Sequence, residues 1–173
     1  MDVTHVPEFG RLKYVHVTID THSKFIWATV QVGEKVFHVI RHFTVCFAIM
    51  GLPKTLKTDN GPAYTSQGFG CFCEKWDVQH ITGVPNSPTG QAIVERANQT
   101  LKRYVCRLSD VRDTQEHLAR ALFTVNYLCI FGEGEETPAQ VHSQVPRVGN
   151  TQPVFVEYRN PKTRIWEGPA EVK

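Results

Sequence analysis

The stretch Thr55-Leu56-Lys57-Thr58-Asp59-Asn60-Gly61-Pro62 is a short β-rich run that ends in a cluster of turn-forming residues. Neither a strand nor a helix continues through Asn60-Gly61-Pro62, because Gly favours turn conformations and Pro lacks a backbone donor. The pattern therefore predicts a strand over Thr55–Thr58, with Asp59 at its C-terminal end. Asp59 could equally serve only to hold the turn, since Asp side chains accept hydrogen bonds from the backbone that follows them.

The residues before this strand predict a β-rich first half of the chain. Leu12–Asp20 alternates between apolar and polar residues, which is typical of a strand with one buried face, here the face of Val15 and Val17. Further strands are predicted at Met1–Val6 and Phe25–Val32, on either side of the first, and a helix between Val36 and Met50.

The residues after the strand predict alternating helices and strands. The predicted elements are a helix at about 66–76, a strand at Val78–Ile81, and helices at about Gln91–Leu108 and Thr114–Leu128. Strands that first pair as antiparallel neighbours and then alternate with helices favour a mixed sheet with helices on both faces. Within the helix from Gln91, a polar face separate from the apolar face is formed by Gln91, Glu95, Asn98 and Lys102.

Residues 145–153 contain Pro, Gly and Asn without periodicity and are predicted to form a linker. The chain is thus divided into a main domain at 1–144, this linker, and residues 154–173. The last segment predicts one β-hairpin, formed by Val154–Tyr158 and Ile165–Trp166. A single hairpin is too small to be stable alone, so we interpret it as the beginning of a further domain.

Charge and apolar patterning limit the classes of function. The net charge is only +2, so nucleic-acid binding would depend on a local patch such as the basic residues between Arg96 and Arg120, although a solvated helix face explains that patch equally well. No apolar run reaches about 20 residues, and the N-terminus lacks the features of a signal peptide. Neither membrane insertion nor secretion is therefore expected.

The cysteines and two histidines are expected to be structural. The five cysteines are odd in number and scattered over predicted elements, which predicts reduced core thiols rather than disulfides. His38 and His42 lie four residues apart on one predicted helix. Because no third ligand is apparent, they are interpreted as exposed histidines rather than a zinc pair.

Three acidic residues stand out by their positions: Asp2 in the first strand, Asp59 at a strand end, and Glu95 on the polar face of a helix. Each of them alone is usually a solvated surface charge. What distinguishes them is their combination with the sequences that flank them. Thirty-five residues separate Asp59 from Glu95.

The flanking motifs resemble those of one enzyme family. The relevant strings are Asp2-Val3-Thr4-His5, Tyr14–Thr21, Thr58–Pro62, Gly90-Gln91-Ala92-Ile93-Val94-Glu95-Arg96, and Thr137-Pro138-Ala139 with His142. In this order they resemble the catalytic core of retroviral integrases, which also has thirty-five residues between its second Asp and its Glu. The nearest resemblance is to betaretroviruses and their endogenous relatives, and it extends over most of residues 1–144.

The resemblance implies a fold and a reaction. The fold is a ribonuclease-H-like α/β domain with a five-stranded mixed sheet flanked by helices. Two Mg²⁺ ions, for which Mn²⁺ substitutes, would be held by Asp2, Asp59 and Glu95, with Asp2 bridging both ions. The implied reactions are 3′-end processing of viral DNA and its transfer into target DNA.

The resemblance also implies partners and contacts. Viral and target DNA would meet Gln91, Asn98, Lys102 and Asn86, and the site neighbours would be Thr4 and Asn60. A homodimer or higher homo-oligomer is expected, in the virion and host nucleus as part of a Pol polyprotein. A host chromatin tether is left open, because the sequence does not identify one.

Some residues depart from the family pattern. Relatives usually carry Tyr where this chain has Asn86, which weakens one expected contact with viral DNA. The family's zinc-binding domain has no counterpart here, and residues 154–173 resemble only the opening hairpin of its carboxy-terminal SH3-like domain. Alone, the chain is expected to perform a local transfer rather than paired integration.

Two other classes of function are compatible with the sequence. One is a transposase or nuclease with the same broad fold. The other is a catalytically defunct endogenous-retrovirus remnant that serves as a nucleic-acid-binding or dimerising module. The thirty-five-residue interval disfavours the first, and the intact acidic triad disfavours the second.

Overall fold

The strands and helices come from a computed structural model that describes residues 1–83, 88–107, 113–131, 135–144, 155–159 and 166–171. The strands are β1 (Asp2–His5), β2 (Tyr14–Ile19), β3 (Ile26–Gln31), β4 (Thr55–Thr58), β5 (Gln79–Thr82), β6 (Phe155–Arg159) and β7 (Trp166–Glu171). The helices are α1 (Val36–Met50), α2 (Gln67–Lys75), α3 (Pro88–Arg107), α4 (Thr114–Phe123) and α5 (Pro138–Gln144). Among the described helices, none has the length and apolar character needed to cross a membrane.

The first five strands form two sheets that meet at β1 and β4. β1, β2 and β3 are antiparallel with β2 in the middle, as the sequence predicts, and β4 pairs with β5 in parallel. At the junction, the Met1 backbone nitrogen donates to the Lys57 carbonyl oxygen at 2.9 Å. The expected single five-stranded sheet is therefore seen as three strands plus two, because one terminal bond is not a ladder.

β2 is buried on both faces, so the prediction of a half-buried strand was wrong. Val15 and Val17 pack into a core with α3 and α4. His16 and Thr18 are buried as well, on the side where Thr18 is bonded to His42 of α1. Helices therefore cover both faces of the antiparallel sheet.

His38 and His42 are buried, which corrects their interpretation as exposed residues. His42 has no exposed surface, and its two ring nitrogens lie 2.8 Å from the hydroxyls of Thr18 and Thr29. His38 Nδ1 lies 3.4 Å from Gln31 Oε1. The hydroxyls of β2 and β3 supply the hydrogen bonds that make a histidine tolerable inside the domain.

The cysteines are only partly as predicted. All five are free, and Cys46 and Cys73 are buried. Cys71 and Cys106 are exposed, so the expectation of core thiols was wrong for these two. Both lie on helices, where only one stripe of side chains reaches the core.

The helices differ from the prediction mainly at their ends. α3 begins at Pro88, three residues before the predicted start, and α4 continues into a π-helical turn, Thr124–Leu128. In that turn, buried Asn126 accepts from the Ile26 backbone nitrogen at 2.9 Å and donates to its carbonyl oxygen at 2.8 Å. The Asn126 amide thereby provides hydrogen-bond partners for the backbone of Ile26 at the outer edge of β3.

α5 was not predicted and is joined to the antiparallel sheet through His142. The His142 ring is stacked on Phe25 with a centroid distance of 4.9 Å. Its nitrogens lie 3.2 Å from Ser23 Oγ and 3.2 Å from the Met50 carbonyl oxygen. One side chain therefore links α5 to the turn after β2 and to the end of α1.

The predicted C-terminal hairpin is confirmed as an antiparallel pair of β6 and β7. Residues 145–153, predicted to be a linker, lie outside the described residues. The division into a core at 1–144, a linker and a partial domain at 154–173 stays a prediction.

Candidate active site

Asp59 lies at the C-terminal end of β4, as predicted. Its Oδ1 accepts a hydrogen bond from the Gly61 backbone nitrogen at 2.9 Å, which closes the turn. A Cβ atom on Gly61 would lie 3.0 Å from the same oxygen. Glycine is therefore the residue that lets the backbone approach this carboxylate so closely.

Two side-chain bonds fix the backbone on either side of Asp59. The Thr58 hydroxyl donates to the Asp59 carbonyl oxygen at 2.9 Å and lies 2.9 Å from His80 Nε2. Since a hydroxyl has one proton, Thr58 accepts from His80, which places the imidazole proton on Nε2. Beyond Asp59, Asn60 Nδ2 donates to the Gly83 carbonyl oxygen at 2.9 Å. The end of β4 is thus tied to β5 twice.

Asp2 is held by the first strand and by α3. Its Oδ1 accepts from the Val3 backbone nitrogen and its Oδ2 accepts from Asn98 Nδ2, both at 2.8 Å. Burial raises the pKa of Asp2, and the negative charge of Asp59 raises it further, against the lowering effect of these two hydrogen bonds. The two carboxylates are therefore close enough to repel each other.

Buried Tyr64 lies beside these carboxylates. Its hydroxyl donates to Met1 Sδ at 2.8 Å. The pKa of Tyr64 is raised above its usual value by burial and then by the charges of Asp59 and Asp2. Thr4, a predicted neighbour, is buried two residues after Asp2, and alternate residues of a strand share a face.

The predicted polar residues of α3 have different environments. Asn98 is buried and donates to Asp2, and its predicted contact with DNA stays a prediction. Glu95, three positions earlier, is exposed, and Lys102, four positions later, is half-buried. The side chain of Gln91 and all of Asn86 lie outside the described residues.

Sequence reasoning did not identify His80 and Tyr64 as neighbours of the site. His80 is brought there by the pairing of β5 with β4, and Tyr64 is held there by its bond to Met1; no periodicity reveals either contact. The parallel pairing of β4 with β5 was the available signal, because it places the end of one strand beside the other.

The donor set suits a hard divalent cation. Asp2 and Asp59 present carboxylate oxygens. Mg²⁺ would neutralise their negative charges and so relieve the repulsion between them. Within the described part of the chain, no three His, Cys, Asp or Glu side chains are gathered closely enough to hold a metal. The structure thus joins the two segments that carry Asp2 and Asp59, through the bond between Met1 and Lys57, and leaves Glu95 exposed on α3.

Comparison with known proteins identifies the family to which the chain is similar. Residues 1–88 match the family model described as integrase core domain. The chain is 42% identical over 99% of its length to the Gag-Pro-Pol polyprotein of Sheep pulmonary adenomatosis virus, of which it spans 10%. It is 45% identical over 98% of its length to the intracisternal A-particle Pol-related polyprotein of Mouse intracisternal a-particle MIA14, of which it spans 20%.

The fold of the chain is similar to that of a solved integrase structure. The HTLV-2 integrase catalytic core domain in complex with magnesium, in its trimeric form, superimposes with a TM-score of 0.71 at 28% identity. The match covers 82% of this chain and 92% of that one. The ribonuclease-H-like fold expected from the sequence is therefore confirmed at the level of the family, and the chain belongs to the integrase core domain family of retroviral Pol proteins.

Proposed function

We propose that this chain is the catalytic core of a polynucleotidyl transferase that trims viral DNA 3′ ends and joins them to target DNA. The observation that carries the proposal is the junction of β1 with β4, where the Met1 nitrogen donates to the Lys57 carbonyl oxygen at 2.9 Å, together with Asn98 of α3, which bonds Asp2 at 2.8 Å. Three segments distant in sequence are needed to build this junction. A surface charge or a turn residue would not require such an arrangement.

Asp2, Asp59 and Glu95 are the proposed ligands of two Mg²⁺ ions, with Mn²⁺ as a substitute. Support comes from the oxygen chemistry of the three side chains and from the HTLV-2 core, a protein solved in complex with magnesium. Bound Mg²⁺ supplies the positive charge that activates the attacking hydroxyl and stabilises the leaving oxygen of an in-line displacement. Glu95 completes the ligand set from its exposed position on α3.

The other residues of the site position groups rather than react. Val3 and Asn98 occupy one lone pair on each Asp2 oxygen, which orients the carboxylate and leaves further lone pairs for a cation. Lys102, on the same helix as Glu95, supplies a positive charge for DNA phosphate. Gln91 and Asn86 are the proposed further DNA contacts, and Thr4 and Asn60 support Asp2 and Asp59.

The assembly is proposed from the relatives. The HTLV-2 core was solved in trimeric and dimeric forms, which supports a homo-oligomer here. Within each copy, β1 and β4 are proposed to join the five strands into one sheet, as the bond between Met1 and Lys57 suggests. As part of a Pol polyprotein, the chain would act in the virion and the host nucleus on viral and target DNA.

DNA joining on a branched substrate tests the proposal. The substrate resembles the product of strand transfer, so the enzyme's reversal of joining is followed with Mg²⁺ and with chelator. Asp59→Asn and Glu95→Gln should each reduce the rate by at least about 100-fold, because each removes a charged ligand. Glu74→Gln, which neutralises an exposed acid on α2, serves as the matched control and should leave the rate unchanged.

The outcome also separates the rival functions. Joining that is independent of metal, or equal in the Asp59→Asn and Glu95→Gln variants, would refute the acidic site. Absence of joining in the unaltered chain, combined with retained DNA binding, would instead favour the non-catalytic module.

A further inference from the structure

A concave groove of about 590 Å³ lies along α3. It is bounded by α3, by the ends of β2 and β3 with the turn between them, and by Phe131. Its volume falls in the range of sites that hold ligands or peptide side chains. None of the proposed metal ligands lines it, whereas Arg96 and Arg103 of the basic patch do.

The floor of the groove is apolar. Five of its ten lining residues are hydrophobic, namely Ile19, Ile26, Ile93, Ala97 and Phe131. Phe131 remains 40% exposed, although a large aromatic side chain gains free energy when it leaves water. An apolar surface that is concave and accessible is the usual mark of a contact with another molecule.

The rim of the groove is cationic. Lys24, Arg96 and Arg103 line it and are all exposed. The Lys24 amine donates to the Thr21 carbonyl oxygen, and Arg96 Nε donates to the Ala92 carbonyl oxygen at 3.2 Å. Across the described ranges, none of these three cations forms an ion pair with a carboxylate. Three positive charges therefore surround the apolar floor without a negative partner in that part of the chain.

Helix geometry separates the floor of this groove from the acidic site. Ile93 and Ala97 each lie two residues from Glu95, and two residues correspond to about 160° around an α-helix. The floor therefore faces nearly opposite to the carboxylate that is proposed to bind metal. Gln99, which also lines the groove, lies four residues after Glu95 and only about 40° from it around the helix, so the edge of the groove adjoins the acidic face.

We propose that this groove binds an acidic segment of a partner protein, in which aliphatic or aromatic side chains fill the floor and carboxylates pair with Lys24, Arg96 and Arg103. The combination of a concave apolar floor and a cationic rim selects a peptide of this kind. Duplex DNA presents charged phosphates over its outer surface and has no apolar group that would enter the cavity. The groove thus serves partner recruitment, separate from the DNA that the active site handles.

Fluorescence anisotropy with designed probes tests this inference. The probe is a short labelled peptide that carries glutamates around a phenylalanine and a leucine. Two control peptides replace the glutamates by glutamines or the two apolar residues by serines. A short labelled DNA duplex is measured in parallel, and sedimentation shows whether the chain binds a second copy of itself instead.

Two variants alter the groove in different ways. R96E combined with R103E reverses the charge of the rim, and Thr100→Trp fills the cavity, which Thr100 lines. The matched control is K54E combined with K75E, which makes the same change in net charge at two exposed lysines that do not line the groove. Thermal unfolding confirms that each variant is folded.

The groove variants should each weaken binding of the acidic peptide at least about tenfold, which corresponds to about 1.4 kcal/mol, whereas the control pair should change it less than about twofold. Both control peptides should bind at least tenfold more weakly than the probe. Equal binding of the probe to all variants would overturn the inference, as would loss of duplex binding alone in the rim variant. Loss of self-association in the groove variants, without any effect on the peptide, would overturn it as well and would identify a second copy as the occupant.

Discussion

Thr58 determines how the chain leaves β4 and therefore where the Asp59 carboxylate points. Its hydroxyl bonds the Asp59 carbonyl oxygen and accepts from His80. Thr58→Val keeps the shape of the side chain and removes both bonds, whereas Thr58→Ser keeps them. We expect Thr58→Val to raise the Mg²⁺ concentration for half-maximal DNA joining by about tenfold, since residues that orient metal ligands have effects of this size.

Mg²⁺ binding to the apoprotein, followed by calorimetry, provides a second readout of Thr58. Thr58→Ser should bind the ion as the unaltered chain does. If Thr58→Val lowered only the unfolding temperature and left the metal affinity unchanged, the role of Thr58 would be structural and the prediction would fail.

Asp59→Asn is expected to stabilise the metal-free domain. Burial and the charge of Asp59 raise the pKa of Asp2, so the folded state holds the Asp2 proton more tightly than the unfolded state does. The free energy of unfolding therefore decreases as pH rises above about 3.9, the ordinary pKa of Asp. Removing the Asp59 charge makes this decrease smaller while Asn keeps the acceptor for Gly61. Thermal unfolding in chelator between pH 4 and 8 should show a higher midpoint for the variant at neutral pH, and a lower midpoint would contradict the account.

The positions of single residues were predictable from the sequence where a turn or strand pattern located them on the backbone. The position of Asp59 followed from Asn60-Gly61-Pro62, and that of Asp2 from its strand. The burial of Asn98 was not predictable, because an amphipathic pattern cannot reveal that a carboxylate from another segment fills the hydrogen-bonding capacity of an amide.

At the scale of elements, α1 and the antiparallel sheet are joined through buried His42. Burial holds the pKa of His42 well below its usual value, and the neighbouring His16 ring, 5.8 Å away, lowers it further. As pH falls below about 6.5, the unfolded chain gains a proton that the folded state excludes, so stability decreases. His42→Gln should reduce the slope of unfolding free energy against pH by about 0.7 kcal/mol per pH unit at pH 6.5 and by about 1.4 kcal/mol per pH unit near pH 5, where the difference approaches one whole proton.

Urea unfolding at several pH values measures this slope. His22→Gln, which replaces an exposed histidine, is the matched control and should keep the slope. At pH 7.5 the His42→Gln variant should be less stable by about 1–3 kcal/mol, because the Thr18 and Thr29 hydroxyls lose a well-placed partner. An unchanged slope in His42→Gln would show that His42 is not the group that excludes the proton.

The positions of most helices and strands were predictable from the sequence. Which of their faces are buried was not always predictable. Apolar periodicity located α1, α3 and the central strands, since it reflects the face that meets the core. It failed for the second face of β2, where the buried residues are His16 and Thr18 and not apolar ones. It also missed α5, which is short and is held by His142 rather than by an apolar stripe.

On the scale of the whole molecule, the first 144 residues are predicted to fold without the rest. Among the side chains that the structure describes, those of the two core clusters lie between Met1 and Val125, and β6 and β7 pair with each other. Ending the chain after Gln144 should therefore shift the thermal unfolding midpoint by less than about 2 °C and leave the Mg²⁺ affinity unchanged. A shift of more than about 5 °C, roughly 1 kcal/mol for a domain of this size, would show that residues 145–173 stabilise the core.

The most direct test of the central claim is a crystal structure of this chain grown with Mn²⁺, in which anomalous scattering locates each ion. The account predicts two ions, with Asp2 bound to both, Asp59 to one and Glu95 drawn in from its exposed position on α3 to the other. Asp59→Asn should lose the corresponding peaks under the same conditions. Ions bound elsewhere, or ions at Asp2 and Asp59 while Glu95 remains in solvent, would contradict the account.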